Sequence, residues 1–398
     1  MAQRRVGIWL IGACGGVGSS TALGLAALSR GLTPPTGMVT ALPQFSRLDL
    51  DEPAAFVVGG HDIRRASLLS AVQELHGRSN VFDERVIAAC AGDLETWSAN
   101  VRPGVAYRPN PAIAALADRP DYRAAATPRE AIDQIQRDLT AFKTASGVDQ
   151  LVVVNAASTE PVFEAGDEQQ SLGRLLPALD REGSAALPTS GVYAFAAIDA
   201  GFPFVNLTPS RGATLPALEE LARVRGVPLA GQDLKTGETL LKSVLAPLFA
   251  RRNLRVMSWV AHNILGNRDG LVLNDPDNKA SKVKSKDALL AELLGYRPQS
   301  HVSIEYVESL GDWKTAWDHV HFEGFLGAKM TLQFTWQGCD SLLAAPLVLD
   351  IARLALLAQR RGESGAMRHL ACFFKSPIGV GEHDFGKQFA MLEEYAAG

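Results

Sequence analysis

Short apolar runs alternate with longer helical stretches along the N-terminal part of the chain. Four of these runs have the length and the polar or glycine boundaries of buried strands, at residues 6–11, 55–58, 151–154 and 204–207. Helical periodicity lies between them, most clearly over residues 128–141. This alternation predicts an α/β fold with a doubly wound sheet of parallel strands.

The spacing of apolar residues changes after residue 232. A helix is predicted over residues 239–248, and strands follow at 254–260, 303–307 and 330–336. In the last run apolar and polar residues alternate, as in a sheet with one buried face. A chain of 398 residues exceeds what one core usually supports. We therefore predict two domains, a first one over 1–232 and 337–398, and a second one over 233–336 with a mixed or largely antiparallel sheet.

A glycine-rich turn connects the first predicted strand to a helical stretch. Glycines at such a turn let the backbone approach the pyrophosphate of a dinucleotide, and the helix dipole and its free N–H groups then meet the negative charge. The spacing Gly12-x-x-Gly15-x-x-Gly18 departs from the usual dinucleotide fingerprint. An ordinary tight connection is the alternative. The candidate cofactor-binding residues here are Gly12, Gly15, Gly16, Val17 and Gly18.

Polar residues follow the predicted strands, where parallel sheets bind their ligands. Asp62 is a candidate partner for the ribose hydroxyls of a dinucleotide, although it lies farther from the glycine turn than is usual. The same residue types form turns and cap helices, which is an equal alternative for any one cluster. The remaining candidates at these strand ends are Asn155, Ser158, Thr159, Asn206 and Thr208.

Lysines concentrate in the central part of the chain. Four of them fall within residues 279–286, with serine among them and Asn278 just before. A solvated loop is one interpretation; a site that holds a phosphate and hydroxyls is the other. Lys314 and Lys375 stand alone, and the Phe-Phe before Lys375 indicates partial burial. Desolvation lowers the pKa of a lysine, and a charged lysine stabilises an enolate or alkoxide.

Charge and composition narrow the possible partners. The formal net charge of -4 gives no overall attraction to nucleic acid or to an anionic membrane. The N-terminal residues lack the pattern of a signal peptide, and no apolar run reaches about 18 residues without charge or glycine. We therefore expect a cytoplasmic protein with no nucleic-acid or membrane partner.

The four scattered cysteines are expected to be reduced. His319 and His321 have no third ligand nearby in the sequence, so we expect them to be structural.

Six motifs in matching order from Val6 to Pro377 resemble a known family. They are Gly-Gly-His-Asp-Ile-Arg, Asn-Ala-Ala-Ser-Thr-Glu-Pro, Gly-Gln-Asp-Leu-Lys-Thr-Gly-Glu-Thr, Asn-Ile-Leu-Gly-Asn-Arg-Asp-Gly, Asn-Lys-x-Ser-Lys-x-x-Ser-Lys and Asp-Ser-Leu-Leu-Ala-Ala-Pro-Leu-Val-Leu-Asp. The family is that of the myo-inositol-1-phosphate synthases, particularly the shorter archaeal-type inositol-3-phosphate synthases. The resemblance implies a Rossmann-type domain, a central α+β catalytic and tetramerisation domain, bound NAD and a homotetramer.

The resemblance also implies an isomerising cyclase that converts D-glucose 6-phosphate to 1L-myo-inositol 1-phosphate. NAD would take hydride from C5 of the open-chain sugar and return it after ring closure. Between these steps a C6 proton is lost and the enolate attacks the C1 aldehyde in an intramolecular aldol reaction. The C5 alkoxide, the enolate oxygen, the O1 alkoxide and the phosphate are all anionic, so fixed cations would stabilise them.

Site residues are implied by the matching motifs. The catalytic residues would be Lys282, Lys286, Lys314, Lys375 and Asp340, with Lys282 and Lys375 near O5, and Lys286 and Lys314 nearer O1 and the phosphate. Asp233 matches an acidic position and is assigned to the cofactor site. The substrate-binding residues would be Asn263, Leu265, Gly266, Asn267, Asp269, Asn278 and Ser281.

A divalent or monovalent cation is a further feature that the resemblance implies. Asp269 and Asp340 would bind it through carboxylate oxygens, and salt bridges from the acidic residues to the lysines are the alternative. Asp340 is also predicted to cap a helix over residues 341–359 that returns to the first domain.

Two departures from the family leave the substrate open. The chain has Ala261-His262-Asn263 where many members have Ser-Tyr-Asn, and its glycine turn differs from the longer eukaryotic form. A homologous cyclase that forms a five-membered cyclitol phosphate from fructose 6-phosphate, in carbocyclic-nucleoside biosynthesis, is the alternative. A net oxidoreductase would instead consume NAD, and a non-catalytic NAD-binding regulator would have lost the lysines.

Overall fold

The computed structural model describes residues 4–119, 123–267, 270 and 289–398. Strands and helices are interspersed up to residue 231, and a second group of strands lies between residues 255 and 339. The strands are β1 Val6–Ile11, β2 Phe56–Asp62, β3 Val101–Pro103, β4 Val105–Ala106, β5 Arg123–Ala124, β6 Gln150–Asn155, β7 Phe204–Asn206, β8 Pro228–Gly231, β9 Arg255–Leu265, β10 Gln299–Tyr306, β11 Trp313–Glu323, β12 Lys329–Cys339 and β13 Gly365–Ala366. The helices are α1 Gly16–Ser29, α2 Leu68–Ser79, α3 Glu84–Ser98, α4 Pro111–Ala114, α5 Pro128–Ser146, α6 Leu172–Leu179, α7 Thr189–Asp199, α8 Pro216–Arg225, α9 Glu238–Arg251, α10 Asp340–Arg360 and α11 Phe385–Ala397.

The larger sheet has seven strands in the order β13-β8-β7-β6-β1-β2-β3, and every neighbouring pair is parallel. Helices α1, α2, α3 and α10 contribute to the core on one face, and α5, α7 and α8 contribute to the core on the other. The predicted doubly wound sheet is confirmed. Its chain order reverses between β1 and β6, which is where such sheets open a ligand crevice.

Two glycines lie inside β2, although the strand was predicted to end before them at residue 58. A Cβ atom on Gly60 would lie 2.3 Å from the carbonyl oxygen of Leu10, and one on Gly59 would lie 2.7 Å from the Phe142 ring. Glycine is therefore used for close packing, and it does not end the strand. As a result β2 continues to Asp62 and carries this carboxylate to the edge of the sheet.

The second sheet has the strand order β10-β9-β11-β12 and is mixed, as predicted. The pair β10 and β9 is parallel, and the other two pairs are antiparallel. The sequence did not predict β11, whose alternation is interrupted by the buried Asp318. The carboxylate of Asp318 accepts a hydrogen bond of 2.7 Å from the indole N–H of Trp259 on β9. The strand predicted over 254–260 continues to Leu265, so Asn263 and Leu265 belong to β9.

Helix α10 returns from the second sheet to the first, as predicted, and packs against α1 and β6. The cap prediction was wrong, because Asp340 is the first residue of the helix and Cys339 is its N-cap. The carboxylate of Asp312 instead accepts the backbone N–H of Ser341 at 3.0 Å. The predicted domain boundary after residue 336 falls inside β12, and the division into domains stays a prediction.

The environment of α10 is that of a core helix. By length and composition it passes as a membrane span, but 72% of its most apolar stretch is buried within the fold. Its buried Asp350 accepts backbone hydrogen bonds from Val39 and Thr40 at 2.5 and 3.1 Å. Burial raises the pKa of Asp350 to about 6. The four cysteines are free and buried.

Candidate functional site

A cleft lies at the carboxyl ends of β1, β2 and β6. The register aligns these ends, because Ile11 pairs with His61 on one side and with Asn155 on the other. The opposite wall comes from the start of β11 and the start of α10, which contribute Lys314 and Asp340. The cleft therefore joins the two sheets at the predicted ligand edge.

The glycine turn shapes the floor of this cleft. Gly12 has a φ of +83°, and a Cβ there would lie 3.0 Å from the carbonyl oxygen of Ala156. A Cβ on Gly18 would lie 2.6 Å from the carbonyl oxygens of Gly12 and Ala13. Helix α1 begins without a side-chain cap or an acidic residue in its first turn. The turn thus fits a pyrophosphate, which needs a bare backbone and an uncompensated helix N-terminus.

Asp62 stands beside the turn at the end of β2. Its two carboxylate oxygens accept the backbone N–H groups of Cys14 at 2.7 Å and Arg64 at 2.8 Å. Burial raises the pKa of Asp62, and the two hydrogen bonds oppose that rise. The side chain lines the cleft at the place where a dinucleotide ribose binds in this type of sheet.

The structure separates the predicted cofactor residues into two groups. The residues that line the cleft are Gly12, Gly15, Gly16, Val17, Asp62, Asn155, Ser158, Thr159, Thr208 and Asp233. Gly18 and Asn206 do not line the cleft but pack against residues that do. The side-chain amide of Asn206 donates to the carbonyl oxygen of Ser210 at 2.6 Å and its oxygen accepts from Asn155 at 3.1 Å. The role of Asn206 is therefore that of a turn residue.

Two lysine and aspartate pairs also line the cleft, and the part of the cleft that they form is called its lysine end. The ammonium of Lys375 lies 2.8 Å from a carboxylate oxygen of Asp233, and that of Lys314 lies 3.3 Å from Asp340. Backbone pairing creates the first pair, because the N–H of Lys375 bonds to the carbonyl oxygen of Asp233 at 2.7 Å. Asp233 and Asp340 therefore both form salt bridges to lysines, which was the alternative to cation binding. An entering anion would find two cations that are already oriented.

The predicted substrate residues occupy different positions. Asn267 lines the cleft, and its amide donates to Asp312 at 3.2 Å. Asn263 and Leu265 are buried in β9, and Gly266 packs against the carbonyl oxygen of Val307. The other predicted site residues, Asp269, Asn278, Ser281, Lys282 and Lys286, lie outside the described residues.

Asp312 is a site residue that the sequence did not predict. One carboxylate oxygen accepts from the thiol of Cys339 at 2.7 Å as well as from Ser341, and the other accepts from Asn267. Burial raises the pKa of this carboxyl group. Asp312 thereby joins β11, the start of α10 and the segment after β9. Its position in Gly311-Asp312-Trp313-Lys314, two residues before a predicted catalytic lysine, was the available signal.

Glu160 is a second unpredicted residue in the cleft wall. Its two carboxylate oxygens accept the backbone N–H of Ser190 at 3.2 and 3.1 Å, at the start of α7. Burial raises the pKa of Glu160, and the hydrogen bonds from Ser190 and Thr189 oppose the rise. The residue stands in the predicted polar cluster after β6, but its partner lies on a helix 30 residues further along the chain.

The described residues provide no cluster of acidic, histidine or cysteine side chains for the implied cation. No three His, Cys, Asp or Glu side chains among them converge as metal ligands. The carboxylate of Asp340 already pairs with Lys314, and Asp269 is outside the described part of the chain. His319 and His321 lie in β11. We therefore derive no chemical step through a metal ion.

The family model and the curated relatives point to the same family. The model of the family described as myo-inositol-1-phosphate synthase matches residues 6–396. Inositol-3-phosphate synthase 1 of Bacteroides thetaiotaomicron is 32% identical over 423 residues, which cover 99% of this chain and 95% of the relative. The rice protein of the same name is 31% identical over 80% of this chain, but the match spans only 63% of the rice protein.

A solved structure extends the likeness to three dimensions. The crystal structure of inositol-3-phosphate synthase from Caenorhabditis elegans has a TM-score of 0.88 at 25% identity, covering 99% of this chain and 85% of that one. A myo-inositol-1-phosphate synthase-related protein from Thermotoga maritima, at 24% identity, shares the fold with a TM-score of 0.79.

Proposed function

Because the chain belongs to the myo-inositol-1-phosphate synthase family, we propose that it converts D-glucose 6-phosphate to 1L-myo-inositol 1-phosphate with recycled NAD. The observation that carries this proposal is that one cleft contains both a dinucleotide turn and two oriented lysines. An isomerisation through a ketone needs both parts, since the redox steps need a dinucleotide and the aldol step needs fixed positive charge.

The part of the cleft around the glycine turn and Asp62, its cofactor end, binds and orients the dinucleotide in this proposal. When bound, NAD supplies a hydride acceptor for C5 of the sugar and returns the hydride after ring closure. Gly12 and Gly15 leave the backbone open to the pyrophosphate, and Asp62 accepts hydrogen bonds from the ribose hydroxyls. Asn155, Ser158, Thr159 and Thr208 also line the cleft.

The lysine end stabilises negative charge. Lys375 holds the C5 oxygen while carbon C5 is oxidised and while the enolate forms, and Lys314 holds the C1 oxygen and the phosphate. Before substrate binds, Asp233 and Asp340 neutralise and orient the two ammonium groups. An alkoxide or enolate that forms on the bound substrate gains charge-assisted hydrogen bonds from these ammonium groups, and the bonds are strongest when the oxygen is most negative. Lys282 and Lys286 complete this set in the proposal.

The proposal includes a cytoplasmic homotetramer. Its support is the family resemblance together with large apolar side chains that the single chain leaves exposed on the second sheet. Trp317 in β11 is 47% exposed, and Phe325 and Leu326 in the following turn are 88% and 89% exposed. Exposed apolar groups of this size are typical of subunit contacts. Sedimentation of the purified protein measures the assembly directly.

The test of the reaction is to incubate the protein and NAD with glucose 6-phosphate or fructose 6-phosphate in parallel. NADH absorbance and NMR of the products are followed in both. We expect a six-membered cyclitol phosphate from glucose 6-phosphate without net NADH. A five-membered product from fructose 6-phosphate would move the protein to the other substrate, and NADH in stoichiometric amounts without a cyclitol would overturn the cyclase itself.

A further inference from the structure

Two opposite determinants for the cofactor ribose lie side by side in the cleft. Asp62 ends β2, where a carboxylate binds the ribose hydroxyls of NAD. Arg64 stands two residues later, in the region where a guanidinium binds the 2′-phosphate of NADP. Both side chains line the cleft next to Cys14 of the glycine turn. The choice between the two cofactors therefore depends on whether the guanidinium is available.

The guanidinium of Arg64 is engaged on two sides. Its Nη1 donates to the carbonyl oxygen of Cys14 at 2.8 Å, and its Nη2 forms a close ion pair with Glu74 of α2. The other carboxylate oxygen of Glu74 lies 3.8 Å from Arg78, four residues later on the helix. Glu74 thus stands between two arginines and offsets part of their positive charge.

Helix α2 fixes the position of Glu74. The helix begins with a reciprocal capping box between Ser67 and Ser70, one turn before Glu74. At its other end, the carbonyl oxygen of Ser79 accepts the indole N–H of Trp313 at 2.7 Å. The helix backbone that carries Glu74 is therefore fixed at both ends, and the ion pairs with Arg64 and Arg78 orient the carboxylate.

We propose that Glu74 is a specificity-determining residue, which makes the site accept NAD and reject NADP by occupying the guanidinium of Arg64. The inference rests on the proposed NAD-dependent function and concerns the same site. A 2′-phosphate adds about 1.5 to 2 negative charges. It would meet the carboxylates of Asp62 and Glu74, and it would have to displace Glu74 to reach Arg64. Repulsion of the wrong ligand is a usual source of specificity.

The substitution Glu74→Gln separates this role from a structural one. Glutamine keeps the length of the side chain and the helical preference of α2, but it carries no charge. The hydrogen bond from Arg64 to Cys14 in the glycine turn does not involve Glu74 and remains. The double variant Arg64→Gln with Glu74→Gln removes the guanidinium that the single variant releases.

The experiment measures the dissociation constants of NAD and NADP for the full chain by calorimetric titration at one ionic strength. Wild type, the Glu74→Gln variant, the double variant and Asp93→Asn are compared. Asp93→Asn is the matched control, because it breaks an exposed ion pair with Arg30 outside the cleft. We expect Glu74→Gln to lower the ratio of the NADP constant to the NAD constant at least tenfold. The double variant should raise the ratio from that of Glu74→Gln back toward that of wild type, and the control should leave it unchanged.

The proposal is overturned if Glu74→Gln leaves the ratio unchanged or weakens both cofactors equally, since a structural role predicts that result. It is also overturned if the double variant keeps the lowered ratio, because Arg64 would then not be the group that was released. If wild type binds neither dinucleotide, the proposed function fails together with this inference. If wild type binds NAD and the ratio does not respond, only the inference fails.

Discussion

The two ends of the cleft are constructed differently. At the cofactor end, backbone conformation and missing Cβ atoms make the room, as at Gly12 and Gly18. At the lysine end, ion pairs join residues that are distant in sequence, since Lys375 and Asp233 are 142 residues apart. The cofactor end therefore depends mainly on backbone shape, whereas the lysine end depends on ion pairs between side chains. Substitutions at the lysine end should lower kcat, and substitutions at the cofactor end should weaken NAD binding.

The largest effect is expected at the lysine end. Lys375→Ala removes a cation that stabilises the C5 oxygen, and loss of one such group typically costs about 10²- to 10³-fold in kcat. NAD affinity should be retained, because the glycine turn is untouched. Initial rates of cyclitol formation and a separate NAD titration measure the two effects.

The matched control for this variant is Lys387→Ala, which removes a lysine that is 62% exposed on α11. Its kcat should equal that of wild type. If Lys375→Ala has the kcat of wild type, or if it loses NAD binding instead, the two ends do not separate catalysis from cofactor binding.

An intermediate effect is expected at the cofactor end. Gly12→Ala places a Cβ at a φ of +83° and 3.0 Å from a backbone oxygen, and strain of this kind costs about 1–3 kcal/mol. If the turn shifts to relieve the strain, NAD affinity falls by about tenfold for each 1.4 kcal/mol. An NAD titration and urea unfolding measure the loss.

Gly24→Ala is the control for the turn variant. Gly24 lies in α1, and a Cβ there would have no described atom within 4 Å apart from the neighbouring backbone of its own helix. Because alanine favours a helix over glycine by about 1 kcal/mol, this control should be more stable than wild type with unchanged NAD affinity. Equal behaviour of the two variants would show that the turn is not under steric control.

The smallest effect on the reaction is expected behind the lysine end, where the change is one of stability. Lys235 is buried and donates to Gln388 at 2.6 Å, and burial lowers its pKa to about 8 from 10.5. Between these pH values the unfolded chain holds a proton that the folded chain has released, so stability rises with pH. Relative to Lys235→Met, wild type should gain stability from about pH 8 to 10.5, as measured by urea unfolding at several pH values.

The control for this measurement is Lys387→Met. Lys387 is exposed, and its ion pair with Glu382 raises its pKa, so it should not contribute a gain in this pH window. A flat difference between wild type and Lys235→Met over the same window would mean that the buried ammonium keeps its proton.

The sequence predicted those features that depend on neighbouring residues. The strand over 6–11 and the turn after it were readable because apolar length and glycine spacing are local signals. Gly59 and Gly60 were misread as a strand end, because the atoms that require glycine there belong to Leu10 and Phe142. No sequence pattern near β2 contains that information.

Local sequence patterns predicted even less of the lysine end. The resemblance supplied Lys314 and Lys375, but the cap of α10 was assigned to Asp340 when Asp312 fills that role from another strand. The strand β11 was missed because its buried Asp318 is satisfied by a tryptophan on β9. Residues that contact each other only in the folded chain have no fixed spacing in the sequence, so a local pattern cannot identify the contact.

The short antiparallel bridge between Leu234 and Phe374 has a consequence for the order of events during synthesis. A chain leaves the ribosome from its N-terminus, and its early segments begin to fold first. The glycine turn and β2 emerge long before Lys375, which joins Asp233 only when the segment that contains Phe374 has been made. A nascent chain can thus assemble its cofactor end while it still lacks one of the two paired cations that the reaction needs.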